Sequence, residues 1–220
     1  MDRKELNELY FNIISDLVDS YESFKSFMLN RTSDFFLDIY GNDLDDPLTQ
    51  ICEERNIEIA WGATKVVLIF TPDGNEEDDY VVKIPFVDRS IDYCEREVEN
   101  YNEVPDSFKE YFAECWKGGE IEICNKKVPF YIMEKVDANE GRVMDESFHY
   151  FIGEGGNSDD YDPYDGLEEV SNCFALHYGY TTTSKIIEYL DEANINDIHT
   201  ANIGYRNDYP VLIDYSGYFG

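Results

Sequence analysis

Residues 80–104 read YVVKIPFVDRSIDYCEREVENYNEV, and the change of period inside this stretch decides the fold. YVVKIP is a β-branched, apolar run interrupted by Lys83. Past Ser90, the apolar residues Ile91, Cys94, Val98 and Tyr101 recur at three- and four-residue steps, which is the period of a helix. A strand therefore runs into a helix rich in acids. A lysine in an apolar strand ordinarily reaches solvent. The helix offers another solution, in which Glu97 approaches Lys83 from the packed side. Glu95 and Glu99 are the alternatives, because sequence does not fix the helix register.

Outward from this stretch, IEIAWGATKVVLIF (57–70) reads as two further strands, and the Pro- and Gly-bearing loop TPDGNEED (71–78) leads into the strand at 80. GGEIEIC (118–124) and KVPFYIMEKV (127–136) read as a hairpin turning at NKK (125–127). The order strand, strand, strand, helix, strand, strand describes a small antiparallel sheet carrying one helix. Ahead of it, Leu6, Leu9, Tyr10, Ile13, Ile14, Leu17 and Val18 give residues 2–29 a helical stripe, and shorter helices are predicted at 33–40 and 46–55. Residues 137–166 are polar and rich in turn formers, with a short helix at 145–151. Helices follow at 167–177 and 183–194, then short strands in NIGY (202–205) and PVLID (210–214). The fold class is α+β, divided as a helical extension (1–55), a sheet-bearing lobe (56–136) and a small C-terminal lobe (137–220).

The chain carries 48 acidic against 17 basic residues, for a formal charge of −31. Such a surface repels nucleic-acid phosphates and anionic membranes. It suits solubility, a basic protein partner, or mimicry of DNA charge. An anionic nucleotide binds only where lysine, backbone N–H groups and a divalent cation reverse the field locally. No stretch approaches the roughly 20 apolar residues of a membrane span, and MDRKELNELYFNIISDL lacks the layout of a signal peptide, so a cytoplasmic location is expected. Five cysteines without a CxxC pair, and three histidines without ligand spacing, signal neither a disulfide framework nor a zinc site.

The last 25 residues, NDIHTANIGYRNDYPVLIDYSGYFG (196–220), hold a second constellation. Phosphoryl transfer asks a protein mainly for positioning and for charge neutralisation around Mg²⁺. Asp197 precedes Asn202 by five residues, and Asp214 follows the apolar run across a short hairpin. One carboxylate to orient an acceptor hydroxyl, and an amide and a carboxylate to hold a metal, make that set.

In chain order, VVK (81–83), REVENY (96–101), FYIMEKV (130–136), DIHTAN (197–202) and LIDYSG (212–217) resemble the protein-kinase-like superfamily. The D-I-H-x-x-N form is closer to the aminoglycoside and choline kinase branch, and to small kinase-like proteins of bacteria and phages, than to the usual protein-kinase loop. The resemblance implies a truncated two-lobed kinase-like fold, with a small antiparallel sheet and helix in one lobe, a minimal helical second lobe and extra N-terminal helices. It implies ATP and Mg²⁺ as cofactors. Lys83 would contact the phosphates and Glu97 would orient it; Met133 and Glu134, within an interlobe hinge at 133–136, would line the adenine pocket. Asp197 would be the catalytic base, with His199 bracing its loop, and Asn202 and Asp214 would be the metal ligands. The family's Gly-rich loop is reduced to Gly62 and its neighbours, and Ile195 stands where protein kinases have histidine. The sequence given stops at Gly220, ahead of any activation segment, so the N-terminal helices, residues 137–193 or a second subunit would supply the missing packing. The expected activity is ATP-dependent phosphotransfer to an acceptor the sequence does not name. The alternatives are a kinase-like binding module without turnover, or an acidic DNA mimic that occupies a basic protein.

Overall fold

Helix α1 (Arg3–Ser20) begins at a capping box: the Asp2 carboxylate accepts the Lys4 and Glu5 N–H groups at 2.9 Å, and the Glu5 carboxylate accepts the Asp2 N–H at 2.8 Å. In the computed structural model, which describes residues 1–30, 47–61, 64–70, 80–85, 88–138, 163–195, 198 and 202–217, this helix buries Leu6, Tyr10, Ile14, Leu17 and Val18 along one stripe. The single helix expected over 2–29 is broken at Tyr21, whose backbone is extended, and α2 (Glu22–Asn30) resumes beyond it. The cause is local. The Tyr21 hydroxyl donates to Glu54 at 2.9 Å and accepts from Arg55 Nε at 3.1 Å, and the Arg55 guanidinium lies 5.4 Å from its ring. Both partners sit on α3 (Pro47–Arg55). The break redirects the stripe, so that Phe24, Phe27 and Met28 enter the same core as α1. The helices expected at 33–40 and 145–151 lie outside the described residues.

Strands β1 (Ile57–Trp61), β2 (Lys65–Phe70) and β3 (Tyr80–Pro85) are followed by helix α4 (Asp88–Glu103) and then by β4 (Cys115–Ile123) and β5 (Lys126–Glu134). They form one five-stranded antiparallel sheet in the order β1-β2-β3-β5-β4. The β4–β5 hairpin closes through Cys124 and Asn125, both at positive φ (51° and 64°), the pairing a two-residue type I′ turn requires. Side chains alternate across a strand, and the two faces of this sheet differ in chemistry. Val66, Leu68, Val82, Ile84, Phe130 and Ile132 join the core built by α1 and α2. Each fully buried side chain of this kind contributes about 1.5–3 kcal/mol. The docking of α1 is fixed at Trp116, which donates its indole N–H to Asn7 at 2.7 Å, stacks edge-on against Tyr80 and lies beneath the Arg3 guanidinium.

The described chain forms two compact units, Met1–Val98 with Glu114–Lys135, and Glu99–Ala113 with Val136–Gly220. The N-terminal helices and the five-stranded sheet belong to the first. In the second, β6 (Asp137–Ala138), β7 (Ile203–Arg206) and β8 (Tyr209–Leu212) make a three-stranded sheet in that order. Helices α5 (Pro163–Tyr178) and α6 (Tyr180–Glu192) meet at Gly179, whose φ of 81° is a backbone state that side chains other than glycine rarely adopt. The β7–β8 turn again uses two left-handed residues, Asn207 and Asp208. Among the described residues no helix is long and apolar enough to cross a membrane.

The β4 bulge supplies a stability test. Gly118 sits where the β4–β5 register shifts, and a Cβ there would lie 2.3 Å from the ring of buried Phe130. Gly118→Ala is expected to destabilise the protein by about 1–3 kcal/mol through overpacking, read as a lower urea midpoint with unchanged slope. An unshifted midpoint would mean the Phe130 ring moves aside freely.

Candidate functional site

Strand parity builds the first half of the site. The antiparallel registers place Val67, Lys83, Tyr131 and Lys117 in one row across β2, β3, β5 and β4. They share the face opposite the apolar core, and Lys65 lies on it two residues from Val67. Helix α4 covers this face with acids.

Lys83 Nζ donates to both carboxylate oxygens of Glu97 at 3.1 Å. The Lys83 side chain is buried, and Glu97 is only 1 % exposed. Lys65, buried as deeply, places its Nζ 3.5 Å from Glu97 Oε1. One carboxylate thus serves two ammonium groups. Burying charge is tolerated only when it is paired, and Glu97 contributes to that pairing for both lysines. Of the three glutamates left open by sequence, Glu97 is the partner of Lys83. Glu95 accepts instead from the Tyr131 hydroxyl and from Lys117, both at 2.9 Å. Burial first, and then the Glu95 carboxylate, hold the Tyr131 hydroxyl protonated far above its usual range, while Glu95 first raises Lys117. Glu99 falls in the second unit.

Met133 is buried in β5, paired with Val81 and Cys115. The Glu134 carboxylate accepts the Glu114 N–H at 3.2 Å, and its own N–H donates to the Glu114 carbonyl at 2.8 Å. The boundary between the two units falls just beyond, between Lys135 and Val136.

In the second unit the β7–β8 hairpin sets the spacing of the C-terminal residues. Ile203 pairs with Leu212, and the Ile213 N–H donates to the Asn202 carbonyl at 2.9 Å. Asn202 and Asp214 therefore flank the open end of one hairpin. Asn202 is buried, Asp214 is partly exposed, and the Ser216 hydroxyl donates to Asp214 Oδ1 at 3.3 Å. Neighbouring Tyr215 is held at both ends: the Asn100 amide donates to its carbonyl and its hydroxyl donates to the Ala113 carbonyl, each at 2.6 Å. Its ring meets Phe112 edge-on at 5.2 Å. These contacts fix the backbone that carries Asp214. Gly62, Asp197 and His199 lie outside the described residues.

Two contributors were missed by sequence reasoning. Lys65 stands at the edge of an apolar run, where a lysine looks solvated; the β2–β3 register, which sets it on the face of Lys83, is the signal that identifies it. Asn100 follows Glu97 by one helical turn, and a polar residue at that helical spacing was its only trace. Against known proteins, the chain matches no family model, and no curated sequence is significantly similar to it.

The shared carboxylate predicts an order of stabilities. Glu97→Gln takes a charged partner from two buried ammonium groups at once and is expected to cost about 3–5 kcal/mol of unfolding free energy at pH 7. Lys83→Met should cost less, since Glu97 keeps Lys65. Chemical denaturation of both variants gives the comparison, and the reverse order would contradict the arrangement.

Proposed function

We propose that the chain is a kinase-like protein that binds ATP with Mg²⁺ and passes the γ-phosphoryl group to a hydroxyl acceptor, in a two-lobed kinase-like fold. The observation that carries this is the buried Lys83–Glu97 pair, joining a central strand to the helix that follows it. A strand lysine braced by a helix glutamate is the device that holds nucleotide phosphates in kinases. In a chain of charge −31, keeping ammonium groups buried on one sheet face has a ready purpose in anion binding.

The residues suit the cofactors. Buried lysines match phosphate oxygens. Asn202 and Asp214 offer hard oxygen donors at the end of one hairpin, and Mg²⁺ is commonly held by one or two carboxylates, substrate phosphates and water. Bound Mg²⁺ would neutralise charge on the transferring phosphoryl group.

On this reading Lys83 positions the phosphates and Glu97 holds Lys83 in place. Asn202 and Asp214 bind the metal, with Ser216 and the anchored Tyr215 orienting Asp214. Asp197 accepts the acceptor's hydroxyl proton as the oxygen–phosphorus bond forms and ADP departs. Met133 and Glu134 line the adenine end.

Thermal unfolding with ATP and Mg²⁺ tests binding. A ligand at 100 times its dissociation constant stabilises by about 2.7 kcal/mol, so a clear upward shift in Tm is expected, reduced in Asp214→Asn. No shift at millimolar nucleotide would overturn the proposal. Transfer of label from [γ-³²P]ATP is expected to vanish in Asp197→Ala and Asp214→Ala; turnover that survives either change would remove that residue from its role.

A further inference from the structure

The end of α5 carries an aromatic surface that nucleotide binding does not use. Among the described residues of the second unit, three large hydrophobic side chains are exposed: Leu176 at 84 %, Tyr180 at 79 % and Tyr209 at 51 %. Leu176 and Tyr180 flank the α5–α6 corner at Gly179. Tyr209 opens β8, and its ring lies 6.0 Å from that of His177 and 5.7 Å from that of Tyr178, the last two residues of α5. Both neighbours are tied down. Tyr178 donates its hydroxyl to the Pro210 carbonyl at 2.9 Å and meets Tyr111 edge-on at 4.7 Å. His177 Nδ1–H donates to the Cys173 carbonyl at 2.9 Å, and its ring stands 6.3 Å from Tyr205.

The surroundings of this ledge are acidic. Residues 99–113 and 136–220 hold 21 acidic residues against four basic ones. Exposed Asp208 precedes Tyr209 in the β7–β8 turn. Glu110 is exposed as well. Burial first, and then the Glu110 carboxylate, push the Tyr111 and Tyr178 hydroxyls above their usual range, Tyr178 up to about 12 with Arg206 partly offsetting the rise. The Arg206 guanidinium donates to the Glu110 and Phe112 carbonyls at 2.9 and 3.1 Å. Elsewhere in the chain, rings already seat cations: Arg3 lies over Trp116 at 5.1 Å, Arg55 over Tyr21 at 5.4 Å and Lys109 over Tyr101 at 5.3 Å. No cation lies over Tyr178 or Tyr209 among the described residues.

We infer that this ledge docks an arginine-rich segment of a partner protein, with the Tyr209 ring as the seat for a guanidinium. The face of an aromatic ring attracts a cation placed over it. A guanidinium is planar and weakly hydrated, so it stacks on tyrosine while its N–H groups reach carboxylates such as Asp208 and Glu110; an ammonium group holds its water more tightly and gains less. Exposed Leu176 and Tyr180 offer apolar surface to the aliphatic stems of such side chains. Tyr209 is already packed on two rings, so little ordering cost remains at binding. Nucleic acids and anionic membranes are repelled by the same carboxylates. This surface does not depend on nucleotide binding, and the two stand or fall separately.

Fluorescence anisotropy of a labelled nona-arginine peptide, titrated with the full chain at about 0.15 M salt, where the Debye length is about 8 Å, tests the inference. Wild-type protein is expected to bind this peptide at least about fivefold more tightly than a nona-lysine peptide. Tyr209→Leu keeps the charge and an apolar side chain but removes the ring, and should weaken binding by about five- to tenfold. Tyr209→Phe keeps the ring face and should keep wild-type affinity. Asp208→Asn suits the left-handed backbone there, at φ 66°, and should weaken binding about two- to threefold. Unchanged affinity in Tyr209→Leu overturns the inference, because the peptide then follows net charge alone. Equal binding of the lysine peptide, a Phe variant as weak as the Leu variant, or no binding by wild-type protein does the same. The wild-type chain gives a check that needs no variant: the Tyr209 ring signals in its NMR spectrum are expected to shift on adding the arginine peptide, and signals that stay in place contradict the docking.

Discussion

A single carboxylate, Glu97, sits between two buried ammonium groups, and the arrangement of the sheet's polar face follows from that constraint. Paired charges survive burial only with good geometry on both sides. Helix α4 must therefore lie at the distance and rotation that bring Glu97 over β2 and β3 together. The same rotation sends Glu95 to Tyr131 and Lys117 at the other end of the row. An apolar helix face would tolerate sliding; these polar contacts tolerate much less.

The sheet is consequently a divider between two kinds of interior. On one side, α1 and α2 bury aromatic and aliphatic side chains against β2, β3 and β5, and the gain there comes from area removed from water. On the other, stabilisation depends on matched donors and acceptors, with little net return from each pair. The apolar side supplies the stability that lets the charged side exist. The N-terminal helices are therefore part of the same structural unit as the sheet they cover.

Much of this was legible in sequence because its signals were local. The β-branched, apolar runs of β2, β3 and β5 and the three-to-four spacing of α4 gave the order of elements, and Lys83 with a helix glutamate followed from their adjacency. Which glutamate, and the presence of Lys65 beside it, depended on helix rotation and on strand register, quantities set by packing across the sheet. The break at Tyr21 was hidden for a similar reason: the stripe continues through it, and the partners that pull it open, Glu54 and Arg55, lie on another helix. The hairpin bearing Asn202 and Asp214 was readable from its turn residues, whereas the anchoring of Tyr215 by Asn100 joins positions far apart in the chain. The division of α4 between two units, after Val98, has no composition signal because the helix runs through it.

Placing two of only 17 basic residues inside the protein has an effect at long range. The outer surface is left more one-signed than the composition suggests, so a free anion meets repulsion until it is close to the buried lysines. Dissolved salt screens that outer field over about 10 Å at 0.1 M but hardly touches contacts already shielded from water. For an anionic ligand, added salt would then speed arrival while altering departure little, the opposite of the usual behaviour where opposite charges steer a ligand in.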